Sequence, residues 1–322
     1  MAAGGPVQAQ DPSVLYAGLI KTRGYVVGSP LSAGGLHRFD GDTTWTHLGW
    51  NHPRVIGISQ DPNDPDVLFL ACGNGVLRTL DGGASWRLTT DWRVNEGLDV
   101  AVDPNAPEHV YLATAFGVWR TTDRGDTWME AGHGLRGTFT RTIEVDRTQT
   151  GRVLAGTWSG LYLSIDGART WMPVGPEDVP ILDVQQTPTT PSVWIAATQD
   201  RGVMRSDDGG QTWRFARGSL ADKTVHAVAI DPFDPARMAA AGWDTGVYVS
   251  TNGGRSWTQR KRGLPTPHFY EVIFDANVPG RLWAATIEKG VFFSDDEGRT
   301  WETGGLHGTL VFDMVFLNPM TP

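Results

Sequence analysis

The chain has 322 residues, 27 basic and 36 acidic side chains for a formal net charge of −9, 40% apolar residues, 40 glycines, 20 prolines and one cysteine. This balance excludes the basic footprint of a nucleic-acid binder and any internal disulfide, and no run approaches the ~18 apolar residues of a membrane-spanning helix. It leaves room for one large closed all-β domain rich in turns.

Residues 1–12 read as a tail. Met1 to Gln10 has no basic n-region and no apolar h-region, so it is not an intact signal peptide. Val7-Gln8-Ala9 fits the remnant of a cleavage site, and a disordered cytoplasmic start fits equally. A soluble protein is expected, either cytoplasmic or exported with its signal removed. Ser13-Val14-Leu15-Tyr16-Ala17 reads as the first strand. Leu19 to Gly35 reads as an insertion before the next one.

From Trp45 the chain becomes periodic. Trp45, Trp86, Trp128, Trp171, Trp213, Trp257 and Trp301 recur at intervals of 41 to 44 residues. Such a period marks stacked supersecondary units. Each tryptophan closes a phrase of the form [Ser/Thr]-x-Asp-x-Gly-x-[Ser/Thr]-Trp, as in Ser206-Asp208-Gly210-Thr212-Trp213. Two copies drift: Ala168 replaces the glycine in one, and Asn252 replaces the aspartate in another. The copy at Asp40-Asp42-Thr44-Trp45 is the most degenerate. A short carboxylate that folds back onto nearby N–H groups, with glycine at positive φ, describes a tight hairpin. The tryptophan opens the following strand with a large apolar face.

Between phrases lies a variable loop and an apolar strand running into Asp-Pro, such as Val55 to Ile58 before Asp61-Pro62. A turn of the form Asp-Pro-x-x-Pro leads to a second strand, Val67 to Ala71, and a loop leads to a third, Gly75 to Arg78. Four short antiparallel strands per period is the blade of a β-propeller. The chain ends at Asn318-Pro319, the first half of that turn, and begins with the strand that should follow it. Val311 to Leu317 is therefore expected to close the N-terminal blade and to remove the open sheet edges. The expectation is one all-β, seven-bladed propeller over residues 13–322, closed by residues 309–319.

These phrases resemble the Asp-box, or bacterial neuraminidase repeat, over essentially the whole chain. Families sharing it include sialidases, xyloglucan-active glycosidases, sortilin-type receptors and the photosystem II stability/assembly factor. In these families the phrase is structural and lies away from the active sites, so its aspartates are not catalytic candidates. The N-terminal Arg-Ile-Pro type motif of sialidases is absent, which argues against a true sialidase.

Alignment of the units on their Asp-Pro turns places His52, His226, His268 and His307 at the starts of four successive innermost strands. Four converging imidazoles could hold Zn or a similar divalent metal with an open position for water. With no short His-x-His or His-x-x-x-His spacing, separate polar residues around a wet channel are the reading favoured over a metal site. Neighbouring slots hold Arg54, Glu96, Arg141, Tyr270 and Asp313. Of these, Glu96, Arg141, Tyr270 and Asp313 are the catalytic candidates. One turn deeper every slot is apolar (Ile58, Val100, Ile143, Val184, Val228, Val272, Val315), which predicts an apolar plug below a polar mouth.

The same loops carry Trp50, Trp92, Trp158 and Trp243, with Arg54, Asp244 and Glu288 nearby, as substrate-binding candidates. Glu96, Asp178, Asp244 and Glu288 are candidates for an acid/base pair. The leading reading is a monomeric hydrolase or lyase of a glycan or small ester at the channel mouth. A non-catalytic protein-assembly scaffold with a protein partner, and a carbohydrate-binding propeller, are the alternatives. The basic run Arg260-Lys261-Arg262 reads as a solvated loop.

Overall fold

The computed structural model describes residues 12–21, 34–51 and 54–320. Each sequence period folds into one four-stranded antiparallel sheet, and seven such sheets form a ring. Blade two shows the pattern: Val55–Asp61 innermost, then Asp64–Cys72, Gly75–Thr79 and the short outer Arg87–Leu88. Blade one is composite. Its innermost strand, Thr309–Leu317, pairs with Val14–Lys21 from Val14↔Leu317 to Lys21↔Thr309, so the ring is closed as the two chain ends predict. The tail and most of the expected insertion lie outside the described residues.

The Asp phrase forms the turn between the third and fourth strands. In blade two the Thr79 hydroxyl donates to Asp81 Oδ1 at 2.7 Å and accepts from Gly83 N–H at 2.9 Å. Asp81 in turn accepts from Ser85 N–H at 2.8 Å. The same bonds recur around Asp123, Asp208 and Asp296. Asn252 keeps the equivalent Ser256 N–H bond at 2.9 Å, because its side-chain oxygen replaces that of the carboxylate. Ala168 holds φ at 62°, where the other copies use glycine. The degenerate first copy is instead a hairpin in which Phe39 pairs with Trp45, with a bulge between Phe39 and Gly41 and Asp42 at a φ of 53°.

The phrase tryptophans act between blades. Trp45 Nε1 donates to Gly304 O at 2.7 Å, and Trp171 Nε1 donates to Ala131 O at 2.6 Å, each in the preceding blade. The apolar cores lie between neighbouring sheets, and the largest fully buried side chain is Trp194. Ile58, Val100, Ile143, Val184, Val228 and Val272 belong to these inter-blade cores. The expected apolar plug is therefore corrected: these side chains border the channel but pack between blades, and the channel lining also holds Asp99, Asp183, Glu271 and Asp313. A bulge near the start of six of the seven innermost strands changes what faces the axis.

Candidate functional site

The bulge sits at Ile56, Leu98, Arg141, Leu182 and Tyr270, where the strand pairing skips one residue. In blade one the skipped residue is Phe312. His226 takes the same place in blade six, just before the first paired residue Ala227. These seven side chains form a belt across the channel. Above it opens a mouth built from the loops between blades and the turns between second and third strands. Below it the channel runs to the Asp-Pro turns.

The mouth holds a cavity of about 770 Å³ over blades three to seven. Leu98, Arg141, Leu182, His226 and Tyr270 form its floor, and Phe139, Trp158 and Trp243 stand in its walls. Gln199, Asp200, Asp222, Lys223, Asp244 and Thr245 supply polar groups around the rim. Arg141 donates to Leu98 O at 3.2 Å and to the Tyr270 hydroxyl at 3.3 Å. His226 meets the Tyr270 ring edge-on at 5.2 Å. Burial, with Arg141 nearby, pushes the His226 pKa down to about 4, so the imidazole is neutral at pH 7.

The rim carboxylates have unusual backbone. Glu96, Asp178, Asp200, Asp244 and Glu288 all have positive φ, between 49° and 67°. Asp tolerates this region through its short polar side chain, whereas Glu there is uncommon. Asp200, Asp244 and Glu288 occupy the same turn in three successive blades.

The residues singled out from the sequence divide into groups. Arg141, Tyr270, His226, Trp158, Trp243 and Asp244 come together at the cavity. Arg54 and Glu96 pair with each other at 3.0 Å. Trp50 and Trp92 lie on the same face over blades one to three. His52 lies outside the described residues. His268 Nδ1 is 3.2 Å from Asp244 Oδ1, and its ring stacks on Trp243 at 4.6 Å. The pair is close enough for an ionic contact, but the nitrogen is off line for a hydrogen bond. His307 Nδ1 donates to Lys289 O at 2.8 Å and its Nε2 accepts from the Thr303 hydroxyl at 3.2 Å. Each described histidine of the expected cluster thus has its own partners. Among the described residues no group of three or more His, Cys, Asp or Glu is placed to hold a metal.

Asp313 is not at the mouth. It stands below the belt in a layer that reads, in order round the ring from blade two, Gly57, Asp99, Thr142, Asp183, Ala227, Glu271 and Asp313. Three of the aspartates tie neighbouring blades together. Asp99 accepts from Ile143 N–H at 2.9 Å, Asp183 from Val228 N–H at 2.8 Å and Asp313 from Ile58 N–H at 2.7 Å. Gly57 leaves room for this: a Cβ there would lie 2.9 Å from the Asp99 Cα. Burial raises the Asp99 carboxyl to about 6 and the Asp313 carboxyl to about 8. Glu144, deeper in the channel, is raised to about 7, and Glu271 well above the ordinary range, both chiefly by burial.

Asp99, Asp183, Glu271 and Glu144 were missed from the sequence. For Asp99, Asp183 and Glu271 the signal is the column just before the apolar slot, which is acidic or small in each of blades two to seven; Glu144 follows that slot and has no such column.

With this geometry in hand, the chain can be set beside known proteins. Residues 201–309, about a third of the chain, match the family model described as sortilin, neurotensin receptor 3. A GH74 enzyme of Niastella koreensis superposes with a TM-score of 0.71 at 20% identity, covering 93% of this chain and 55% of that one. An ancestral GH74 enzyme superposes with a TM-score of 0.57 at 25% identity, covering 66% and 32%. YCF48 bound to a D1 peptide gives a TM-score of 0.60 at 18% identity, covering 77% and 81%. No curated protein matches. The chain spans about half the length of the first GH74 enzyme and about a third of the second. These likenesses establish the propeller fold.

Proposed function

We propose that the mouth of this propeller binds a glycan. The observation that carries the reading is the pair Trp158 and Trp243, two indoles about half exposed, in the walls of one cavity whose rim is polar. Exposing an indole costs apolar burial, and Trp194, Trp119 and Trp283 show that this fold can bury tryptophans on its strands. Flat aromatic faces beside carboxylate, amide and hydroxyl groups suit a sugar ring, which has apolar C–H faces and a polar hydroxyl edge. Likeness to GH74 enzymes agrees with this reading.

In its hydrolytic form the reading places acid and base among Asp200, Asp222 and Asp244, which share the cavity. The role expected of Asp313 is not kept, because its carboxylate faces the channel beneath the belt. The test is calorimetric titration of the protein with cello-oligosaccharides, xyloglucan and mixed-linkage glucan, together with an assay for newly formed reducing ends. Trp158→Ala and Trp243→Ala should each weaken binding on the order of 10-fold or more without moving the melting temperature. Release of reducing ends that is lost in Asp244→Asn, or in the Asp200 or Asp222 equivalents, supports hydrolysis; binding without release leaves a recognition module. Failure to bind any glycan, or binding untouched by both tryptophan changes, overturns the reading.

A further inference from the structure

The fourteen tryptophans are not distributed evenly over the surface. Ten are buried or half-buried, and the four exposed ones, Trp50, Trp92, Trp158 and Trp243, all sit on loops of the mouth face. The opposite face exposes Leu80, Ile165, Phe233 and Val278 but no tryptophan. Trp158 and Trp243 belong to the cavity. Trp50 and Trp92 do not. They lie on the loops leading into the innermost strands of blades two and three, and Phe116 stands at a turn of blade three, 64% exposed.

We propose that the glycan is a long neutral polymer, held beyond the cavity along an arc from Trp158 through Phe116 and Trp92 to Trp50. The proposal rests on the glycan reading of the cavity and adds the length and charge of the ligand. Three features carry it.

The first is exposure without a packing role. Trp92 is 85% exposed, and Trp50 is 53% exposed. Neither belongs to an inter-blade core.

The second is that their loops are fixed. Asp91 accepts a bidentate pair from Arg93, with the closest contact at 2.7 Å, and Val94 N–H closes the turn on Asp91 O at 3.0 Å. On the neighbouring loop, His47 Nε2 lies 3.1 Å from Trp50 O and 3.0 Å from Gly34 O, so its N–H anchors that turn. Rigid turns present these indoles as platforms with little ordering left to do on binding.

The third is charge. The ionic groups along the arc are paired among themselves: Arg93 with Asp91, Arg54 with Glu96 at 3.0 Å, and Arg136 with Glu177 at 3.1 Å and with Asp178 at 3.3 Å. Three guanidiniums against four carboxylates leave this surface no unpaired cation and a small negative excess, and together with the overall charge of −9 this disfavours an anionic polymer. A neutral chain of pyranose rings stacks on successive aromatic faces and hydrogen-bonds to the paired groups between them.

The experiment titrates the full chain with cellotetraose and with xyloglucan polymer, in wild type, Trp92→Ala, Trp50→Ala and the double variant. The polymer should bind more tightly than the oligosaccharide. Each single variant should lose on the order of 10-fold in polymer affinity and the double variant on the order of 100-fold, while oligosaccharide affinity stays unchanged, since each anchor aromatic is worth about 10-fold. Trp92→Phe should retain most of the polymer affinity by keeping a flat face. Equal wild-type affinity for both ligands, or polymer affinity untouched in the double variant, overturns the arc and leaves the cavity reading standing. If neither ligand binds, both fall.

Discussion

Replacing Asp313 with asparagine should stabilise the protein, and increasingly so as the pH rises. The Asp313 carboxyl sits in the channel with its oxygen 2.7 Å from Ile58 N–H, and burial, followed by repulsion from Asp99, raises its pKa from 3.8 to about 8. A folded-state pKa above the unfolded one means that the folded chain holds this proton more tightly. The two states are alike in proton occupancy below 3.8, and folding loses stability as the pH climbs from there to about 8. Taken at face value, the shift corresponds to ~6 kcal/mol. The channel is open to water on the Asp-Pro face, and solvent screening reduces this ceiling to about 2 kcal/mol. Asparagine keeps an oxygen to accept from Ile58 and never ionises.

The variant should therefore equal wild type near pH 4 and exceed it by about 2 kcal/mol at pH 9, or roughly 4 °C in melting temperature. Wild type alone is a poor readout. His37 and His226 are pushed down to about 4, each chiefly by burial, so they add stability as the pH rises from 4 to 6.5 and mask the loss from Asp313. The difference between variant and wild type cancels them. Calorimetric melting at intervals from pH 4 to 9 gives that difference. A gap that is flat with pH, or a variant less stable than wild type at pH 9, would refute the reasoning.

Two further outcomes follow from the fold. Asp208→Ala removes the acceptor for Thr212 N–H and hydroxyl, which hold that carboxyl down at about 2. It should cost about 1–2 kcal/mol in chemical denaturation and leave glycan titrations unchanged, because the turn lies on the face opposite the mouth. Cys72 is fully buried and its thiol is pushed up to about 12 by burial. Under native conditions at pH 8 it should resist a thiol-specific reagent, and one equivalent should react once the chain is unfolded.

The fold was legible because it is written seven times. A single hairpin phrase ending in tryptophan is weak, but a phased series fixes strand number, blade number and ring closure together. The candidate site was only partly legible. Trp158, Trp243, Asp244, Arg141 and Tyr270 were found by counting from the tryptophans, and they do meet at one cavity. The acidic layer was not found, because strand alternation was assumed to run unbroken through the innermost strands. A bulge at Leu98, Leu182 or Tyr270 adds one residue, so the side chain expected to pack faces the axis instead. Asp313 stands out in the sequence, but its depth in the channel does not. Counting back from the turn puts it one slot out of step with Asp99, because blade one has one more residue between this layer and its Asn318-Pro319 turn than blade three has before Asp103-Pro104. The histidines failed as a cluster for a different reason. Shared register puts side chains at one level of the ring, but a seven-bladed ring is wide, and partners such as Trp243 and Lys289 take them up locally.

The acidic layer also carries the mark of an odd ring. From blade two to blade six it alternates small or neutral with acidic: Gly57, Asp99, Thr142, Asp183, Ala227. An aspartate reaches across to the next blade's backbone N–H, and that works where the next blade presents a small side chain, as the Asp99–Ile143, Asp183–Val228 and Asp313–Ile58 bonds do. Strict alternation cannot close over seven members, so two of one kind must be neighbours somewhere, and in this ring they are acids. They are Glu271 in blade seven and Asp313 in blade one. Here the pattern changes in the way the crowding requires. The residue is glutamate; it accepts from the N–H of its own strand, Val272, at 2.9 Å, as Asp99 does from Val100 at 2.8 Å, but among the described residues it makes no bond across to the next blade. Glu271 is also raised well above the ordinary range, by burial first and then by Asp183 and Asp313. Two adjacent carboxyls in a confined channel cannot both ionise cheaply, so at neutral pH this pair keeps a proton between its members. Glu271 thus stands where the odd ring breaks the alternation, and the Asp313 staple to Ile58 is kept beside it.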